Sequence, residues 1–450
     1  MGVLGVAGAS VWDVHVPLVE HPERAALPPM QRGQERYLDR VPVPVASAAI
    51  TAHPTANALG VTARFIEVID EFAAVTPGAT TPPGFRIEAA CDLSGTLRFD
   101  LVRDISRDRS GIPRPTNLLF SVDSANPYEV APCAGLVANM TCNPGIVYDL
   151  FLNNPDANIG GHFSTLEEVL TELGRILGPG VDMSVELNNP FADFDTILEQ
   201  VNRYEQILSR HRLVVKVPHT GPVNGTNVEQ LLSGDKQLAT RYDQGATADY
   251  LYGHHLALKL HEHGYRVNFT LMFEPHQTPL ALQARPTFIN AFVRHRRTDT
   301  RTIKGLLAAY HTSGDRAFLT QLRSYLHQQD FLAADEADHD LTDVLDLATT
   351  TLATRHADDT GADGLDTARA NLRWLRTANL PDTRLIICSM DGPTWYPDII
   401  TMLTEPEFID LHNRVVITTE PNYLARWSST PQVVAYQRRF MNAANTANNS

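Results

Sequence analysis

From about residue 117 the chain repeats one alternation: a short apolar run, then a stretch whose apolar residues recur at helical spacing. Eight runs read as strands: Leu118–Asp123, Leu136–Thr141, Met183–Leu187, Leu213–Val217, Arg266–Phe273, Phe288–Val293, Arg384–Ser389 and Val415–Thr419. Helices fit between most of them, for example Phe194–Ser209 and Ala246–His263. Strands that alternate with helices are joined by crossovers, which makes the sheet parallel and buries both of its faces. A count of eight predicts an α/β protein built as a (β/α)8 TIM barrel, with an open doubly wound sheet as the alternative.

Residues 116–428 are assigned to this barrel. Residues 1–115 read as an N-terminal extension, in which Arg86–Cys91 and Thr96–Leu101 alternate around Leu93-Ser94-Gly95 as a hairpin and Ala63–Ala74 forms a helix. Gly2–Gly8 is glycine-rich but has no preceding strand and no GxGxxG, so it does not read as a phosphate loop. The long segment between strands six and seven, residues 294–383, predicts a helical insertion over about 296–362 beside the barrel mouth, closed by a helix at Leu365–Thr377. Residues 429–450 read as a last helix with a polar tail.

Composition narrows the function. The formal net charge of -15 and the absence of a basic stripe argue against nucleic acid and anionic membrane surfaces as partners. The densest basic cluster, Arg294-His295-Arg296-Arg297, reads as a solvated loop. No run approaches the roughly 20 apolar residues of a membrane span. Met1–Ser10 lacks a cationic region, and the four cysteines lack metal spacing. A cytoplasmic protein with reduced thiols is the expectation.

Of 37 Lys and Arg only four are lysines: Lys216, Lys236, Lys259 and Lys304. Lys216 breaks the apolar run of the fourth strand, where the structural expectation is a snorkelled or carboxylate-paired cation. The chemical expectation is a desolvated, neutral, nucleophilic amine, a role arginine cannot take. Catalytic residues of such barrels sit at strand C-terminal ends. Those ends carry Asp123, Thr141 with Asn143, Glu186, Lys216, and Asn268 with Thr270. A nucleophile, an acid/base and a proton relay are what amine-catalysed aldol chemistry needs. Each also has an ordinary reading: Asp123 as a turn cap, Asn143-Pro144 as a turn, Glu186 as the counter-charge of Lys216.

The stretches Phe120–Asp123, Leu136–Pro144, Ser184–Glu186, Leu213–Thr220, Val267–Phe273 with Gln277, and Phe288–Val293 resemble the transaldolase family in order and spacing. The resemblance spans roughly 117–425. It implies a Schiff base on Lys216, Asp123 as the acid/base of C–C cleavage, and Glu186 and Thr270 holding the proton-shuttling water. It places Asn268, Asn143 and Thr141 on donor hydroxyls and Phe292 on the wall. No cofactor and no metal are implied; the partner is a small sugar or sugar phosphate, with a homo-oligomer an open possibility. The sequence departs from the family at its phosphate grip. The pattern Ile-Ser-Pro-Phe-Val-Gly-Arg reads here Ile289-Asn290-Ala291-Phe292-Val293-Arg294-His295, and Ser-Phe-Arg reads Met390-Asp391-Gly392 with Ser389 one residue earlier. Asn290, Arg294 and Ser389 are therefore the candidates for an altered acceptor site, with an acid beside them that repels phosphate.

Three rivals stand. A class I aldolase would use the same Schiff base with a free ketone donor. A metal-dependent barrel hydrolase would use His261-Glu262-His263, but that motif falls at a helix end on the wrong side of the barrel. A catalytically silent binding protein is compatible with the altered phosphate pocket.

Overall fold

The computed structural model describes residues 4–5, 15–20, 24–44, 56–71, 82, 84–92, 94–108, 110–355 and 363–448. The glycine-rich segment apart from Leu4–Gly5, the Leu93 position of the hairpin, residues 72–74 of the N-terminal helix and 356–362 of the expected insertion lie outside these residues.

Eight parallel strands close into a barrel: β1 (Leu119–Asp123), β2 (Val137–Cys142), β3 (Asp182–Glu186), β4 (Arg212–Pro218), β5 (Arg266–Thr270), β6 (Phe288–Phe292), β7 (Arg384–Cys388) and β8 (Val415–Thr419). Each pairs with its sequence neighbours, and β8 closes onto β1 through Thr418↔Ser121. The open-sheet alternative is thereby excluded. Outward side chains such as Val215, Val217, Val267 and Phe269 join the core between strands and helices. Leu119, Ala138, Val214, Phe288, Ile386 and Val416 fill the middle of the barrel as a separate apolar layer. The barrel is thus packed through its waist, with two distinct ends.

Helix Phe194–Ile207 shows how the surrounding layer forms. Asp193 accepts from Thr196 N–H at 2.9 Å as N-cap, and Ile197, Val201 and Tyr204 make the buried stripe. The expected helix over 246–263 is instead two, Thr247–Tyr250 and Tyr252–Glu262. A Cβ at Gly253 would collide with the carbonyl of Pro218, so glycine lets the second helix lie close on the end of β4.

Four strands end earlier than their apolar runs, β3 by one residue at Glu186 and three others at a change of backbone direction. Leu271 and Ser389 take left-handed backbone (φ 56° and 58°) and turn the chain out of β5 and β7. Val293 begins a 21-residue helix, Val293–Ser313. That helix corrects the reading of Arg294–Arg297 as a loop. Arg296 is 3% exposed and paired with Glu274 and Asp366, while Arg297 stacks on the Trp395 ring at 4.4 Å.

Helices Val293–Ser313, Ala317–Gln328 and Leu341–Arg355 pack around Ile303, Leu307, Leu322, Leu326 and Val344 as a core of their own. Arg355 ties this unit to Glu274, in the β5–β6 connection, at 2.7 Å. Ala334 N–H donates to the Leu238 carbonyl at 2.9 Å, joining it to the long connection after β4. The unit therefore stands beside the C-terminal mouth.

At the other end lies a four-stranded sheet in the order Leu4–Gly5, Phe85–Cys91, Thr96–Arg103, Ala58–Val61. The hairpin pairs antiparallel through Ile87↔Leu101. Helix Ala63–Glu71 packs Phe65 and Val68 into the same core as Leu97 and Leu101. Polar contacts hold this layer to the barrel: Ser209 Oγ donates to Glu67 at 2.8 Å, and Glu88 pairs with Arg212 at 3.5 Å and with Arg266 at 2.5 Å. Helix Pro431–Asn448 is mostly exposed. No helix of the described residues is long and apolar enough to cross a membrane. All four cysteines are free.

Candidate active site

Strand alternation decides which side chains meet inside the barrel. On β4, Val214 lies in the interior layer and Lys216 sits one step nearer the C-terminal mouth. Lys216 is 6% exposed, pairs with Glu186 Oε2 at 3.1 Å, and donates to the Cys142 carbonyl at 3.2 Å. Its register partners are Glu186 on β3 and Asn268 on β5. Thr270, 1% exposed, follows Asn268 one inward step further along β5.

Lys216 is the carboxylate-paired cation of the structural expectation and not the neutral amine of the chemical one. Burial alone lowers the affinity of the amine for its proton. The carboxylates of Glu186 and Asp123 outweigh that effect, and the net shift is upward. Lys216 is an ammonium in a carboxylate cage, so its nucleophilic form requires proton transfer to one of its neighbours.

Asp123 ends β1. Burial pushes its carboxyl up to about 6; Lys216 opposes the shift, and Glu420 and Glu186 add to it. Its Oδ1 is buried without a hydrogen-bond partner. A carboxyl near 6 exchanges protons close to neutral pH, as a general acid/base must. The Cys142 thiol, which faces the same charges, is pushed up to about 12 by burial and is not a nucleophile.

Around these three ionisable groups lie polar atoms held inside the protein without partners: Thr141 Oγ1, both amide atoms of Asn139, Ser184 Oγ, Asn268 Nδ2 and Thr418 Oγ1. Five strands contribute to this ring, counting Asp123. Buried donors and acceptors are nearly always satisfied, so such a concentration at one end of a barrel marks a site built for a polyhydroxylated ligand or for water.

Asn290, a sequence candidate for the acceptor site, has its Nδ2 engaged inside the barrel. Its Nδ2 donates to Asn268 Oδ1 at 2.6 Å and to the Phe269 carbonyl at 2.6 Å. It therefore fixes the Asn268 amide through Oδ1 and leaves Nδ2 of Asn268 buried without a partner. Asn371 in turn donates to the Asn290 carbonyl at 3.0 Å. Asn290→Ala leaves two buried acceptors unpaired and is expected to destabilise the fold by about 2 kcal/mol or more, read from the urea midpoint.

Asn143 is half-committed: its Oδ1 caps the following helix by accepting from Ile146 N–H at 2.9 Å. Phe292 lies at the mouth with its ring 4.8 Å from Phe273, a neighbour the sequence reading did not assign to the site. Arg294 and Ser389 stand apart from the Lys216 cluster, on the rim after β6 and β7. Arg294 is exposed, its backbone N–H donates to the Ser389 carbonyl at 3.0 Å, and Ser389 Oγ lies 3.3 Å from His295 Nδ1. Asp391 accepts from the Trp395 indole at 3.0 Å.

Sequence reading missed Asn139, Ser184, Thr418 and Glu420 as site neighbours. Ser184 and Thr418 share the inward alternation of Glu186 and Ser121 and were open to that signal. Asn139 was open to it as well, two residues before Thr141; the residue that breaks strict alternation on β2 is Ala138, which the register shift between Phe120 and Ser121 brings into the interior layer. Comparison with known proteins adds no assignment: no family model matches the chain, and no curated protein matches it.

Proposed function

We propose that the C-terminal mouth belongs to a transaldolase-like enzyme that transfers a dihydroxyacetone-type ketol unit from a ketose to an aldehyde through a Schiff base on Lys216. The observation that supports this most is the presence, at one end of the barrel, of a buried lysine 3.1 Å from Glu186 and of an aspartate whose carboxyl is pushed up to about 6. Glu186 takes the Lys216 proton. The freed lone pair attacks the ketose carbonyl carbon, and a proton passes from the nitrogen to the carbonyl oxygen to give a carbinolamine. A second proton lets that oxygen leave as water, forming the iminium. Asp123 then removes the proton of the hydroxyl two carbons from the iminium carbon. The bond from that hydroxyl-bearing carbon to the carbon next to the iminium breaks, its electron pair enters the iminium, and an aldehyde and an enamine result. Addition of the enamine to an acceptor aldehyde reverses these steps. Thr270 and Glu186 would hold the shuttling water, while Asn268 and Thr141 would bind donor hydroxyls.

Phosphate recognition at the mouth differs from the family's. Arg296 and Arg297 are engaged by Asp366, Glu274 and Asp398, which leaves Arg294, His295 and Ser389 as the polar rim. A single exposed guanidinium favours a sugar that is unphosphorylated at that end. The helical unit beside the mouth would act as an insertion that shapes acceptor access, and the enzyme would be soluble.

Borohydride trapping followed by peptide mass spectrometry tests this reading. Dihydroxyacetone and unphosphorylated ketoses are expected to label Lys216 at least as well as fructose 6-phosphate. Labelling by the phosphorylated sugar alone would overturn the altered recognition. Failure across the panel would remove the catalytic reading in favour of a binding protein. Release of free ketone without an acceptor would assign an aldolase instead.

A further inference from the structure

A cavity of about 720 Å³ opens at the opposite end of the barrel from Lys216. Its floor is made by the first residues of five consecutive strands: Asp182, Arg212, Arg266, Phe288 and Arg384 on β3 to β7. Arg212 lies four residues before Lys216, about 13 Å along the strand at ~3.3 Å per residue. The apolar layer of Leu119, Val214, Ile386 and Val416 separates the two ends.

The charge of this cavity opposes that of the protein. Seven arginines line it against three carboxylates, Glu88, Asp182 and Asp382, an excess of four positive charges in a chain of net charge -15. Arg86 and Arg103 come from the N-terminal sheet; Arg285 and Arg414 come from loops at the strand starts. Asp100 and Asp104, behind the lining, reduce the excess to two.

Part of this network is structural. Glu88 holds Arg86, Arg212 and Arg266, Asp182 holds Arg212, and Arg414 is spent on the carbonyls of Leu375, Leu380 and Thr383. Arg384 is held less tightly: its Nη1 is buried and has no hydrogen-bond partner, and burial pulls its proton affinity down although Asp104, Asp182 and Asp382 oppose the shift. A network that served only to join sheet and barrel would balance its charges, since an uncompensated buried cation is costly. Trp374, 45% exposed, Leu282 and Pro286 give the same cavity an apolar wall, and its volume suits a small organic ligand.

We propose that this cavity is a second ligand site, which takes a small organic phosphate carrying at least two negative charges, with its phosphates on Arg384 and its neighbours and its carbon skeleton along Trp374. Bound there, the ligand bridges the N-terminal sheet and the barrel floor, and raises stability by mass action. The inference is independent of the Schiff-base chemistry at the other end.

Calorimetry and thermal shift at matched ionic strength test it, with fructose 1,6-bisphosphate as organic phosphate, pyrophosphate as bare phosphate and citrate as polycarboxylate. Saturable binding of the sugar bisphosphate is expected, tighter than that of the other two. It should persist in Lys216→Met and weaken about tenfold or more in Arg384→Met. Arg384→Lys should retain part of it, which separates lost charge from a damaged fold. Equal binding by wild type and Arg384→Met, loss of binding in Lys216→Met, equal affinity for citrate or pyrophosphate, or no saturable binding would each overturn the proposal.

Discussion

Lys216→Met is expected to abolish borohydride-dependent labelling and to lower kcat/KM by roughly 10⁴-fold or more, the scale seen when a covalent nucleophile is removed. Activity alone would not separate chemistry from structure, because the same change strips Glu186 and Asp123 of their buried counter-charge. Breaking a buried ion pair costs about 3–5 kcal/mol when the remaining charge stays ionised. Loss of the ammonium also removes the influence that holds the Asp123 carboxyl down, so that group moves above about 6. The Lys216→Met protein should therefore lose stability at pH 8 and recover part of it near pH 5, where the Asp123 carboxyl binds a proton. Combining it with Glu186→Gln should restore stability at pH 8 without restoring labelling. Lys216→Arg is the sharper variant. It keeps the cation for Glu186 yet offers no nucleophilic amine at any accessible pH. An active Lys216→Arg enzyme would end the Schiff-base reading.

The barrel was legible because each strand carries its own local evidence. An apolar run such as Leu213–Val217, flanked by helical spacing, identifies itself, and β8 appears at the very residues expected, Val415–Thr419. Strand ends were less visible where a single dihedral decides them. Nothing in the residue types at Leu271 or Ser389 announces left-handed backbone, which β-run propensity cannot anticipate. The basic run Arg294–Arg297 misled for a related reason. Charge suggests solvent, but Glu274, Asp366 and Asp398, distant in sequence, meet those guanidiniums only once the barrel closes. The site divides in the same way. Lys216, Glu186 and Asp123 fall at strand ends and meet through barrel register. The role of Asn290 depends on a cross-strand bond to Asn268 that spacing does not reveal, and the proton affinity of Lys216 depends on neighbours that outweigh burial. The arginine floor at the other end consists of strand-initial residues whose charges look like ordinary boundaries in the sequence. Their convergence is a property of closure.

Asp123→Asn should separate imine formation from bond cleavage and expose a stability cost carried by the wild-type site. Lys216 remains, so a ketose should still be trapped by borohydride. The group that accepts the hydroxyl proton is gone, so turnover should fall by about 10²–10⁴-fold, the usual contribution of a positioned acid/base. In the wild type, cleavage needs the carboxylate form, and with the carboxyl near 6 in the free enzyme kcat/KM should fall as pH drops through about 6. Asp123→Asn should lose that limb from its residual rate. The linkage has the opposite sign for stability. A carboxyl with a raised folded pKa favours folding below its unfolded value of 3.8, and that contribution is lost as pH rises through about 6. Two units correspond to about 3 kcal/mol, an upper figure for the cost of holding Asp123 ionised inside the barrel at neutral pH. Asparagine cannot ionise and avoids that cost. Asp123→Asn should therefore be the more stable protein at pH 8, by up to about 3 kcal/mol, with the difference shrinking toward pH 5. Urea midpoints measured across that range, beside the trapping yield, check both halves. A variant that traps no sugar, or whose stability tracks the wild type at every pH, would remove Asp123 from the role assigned to it.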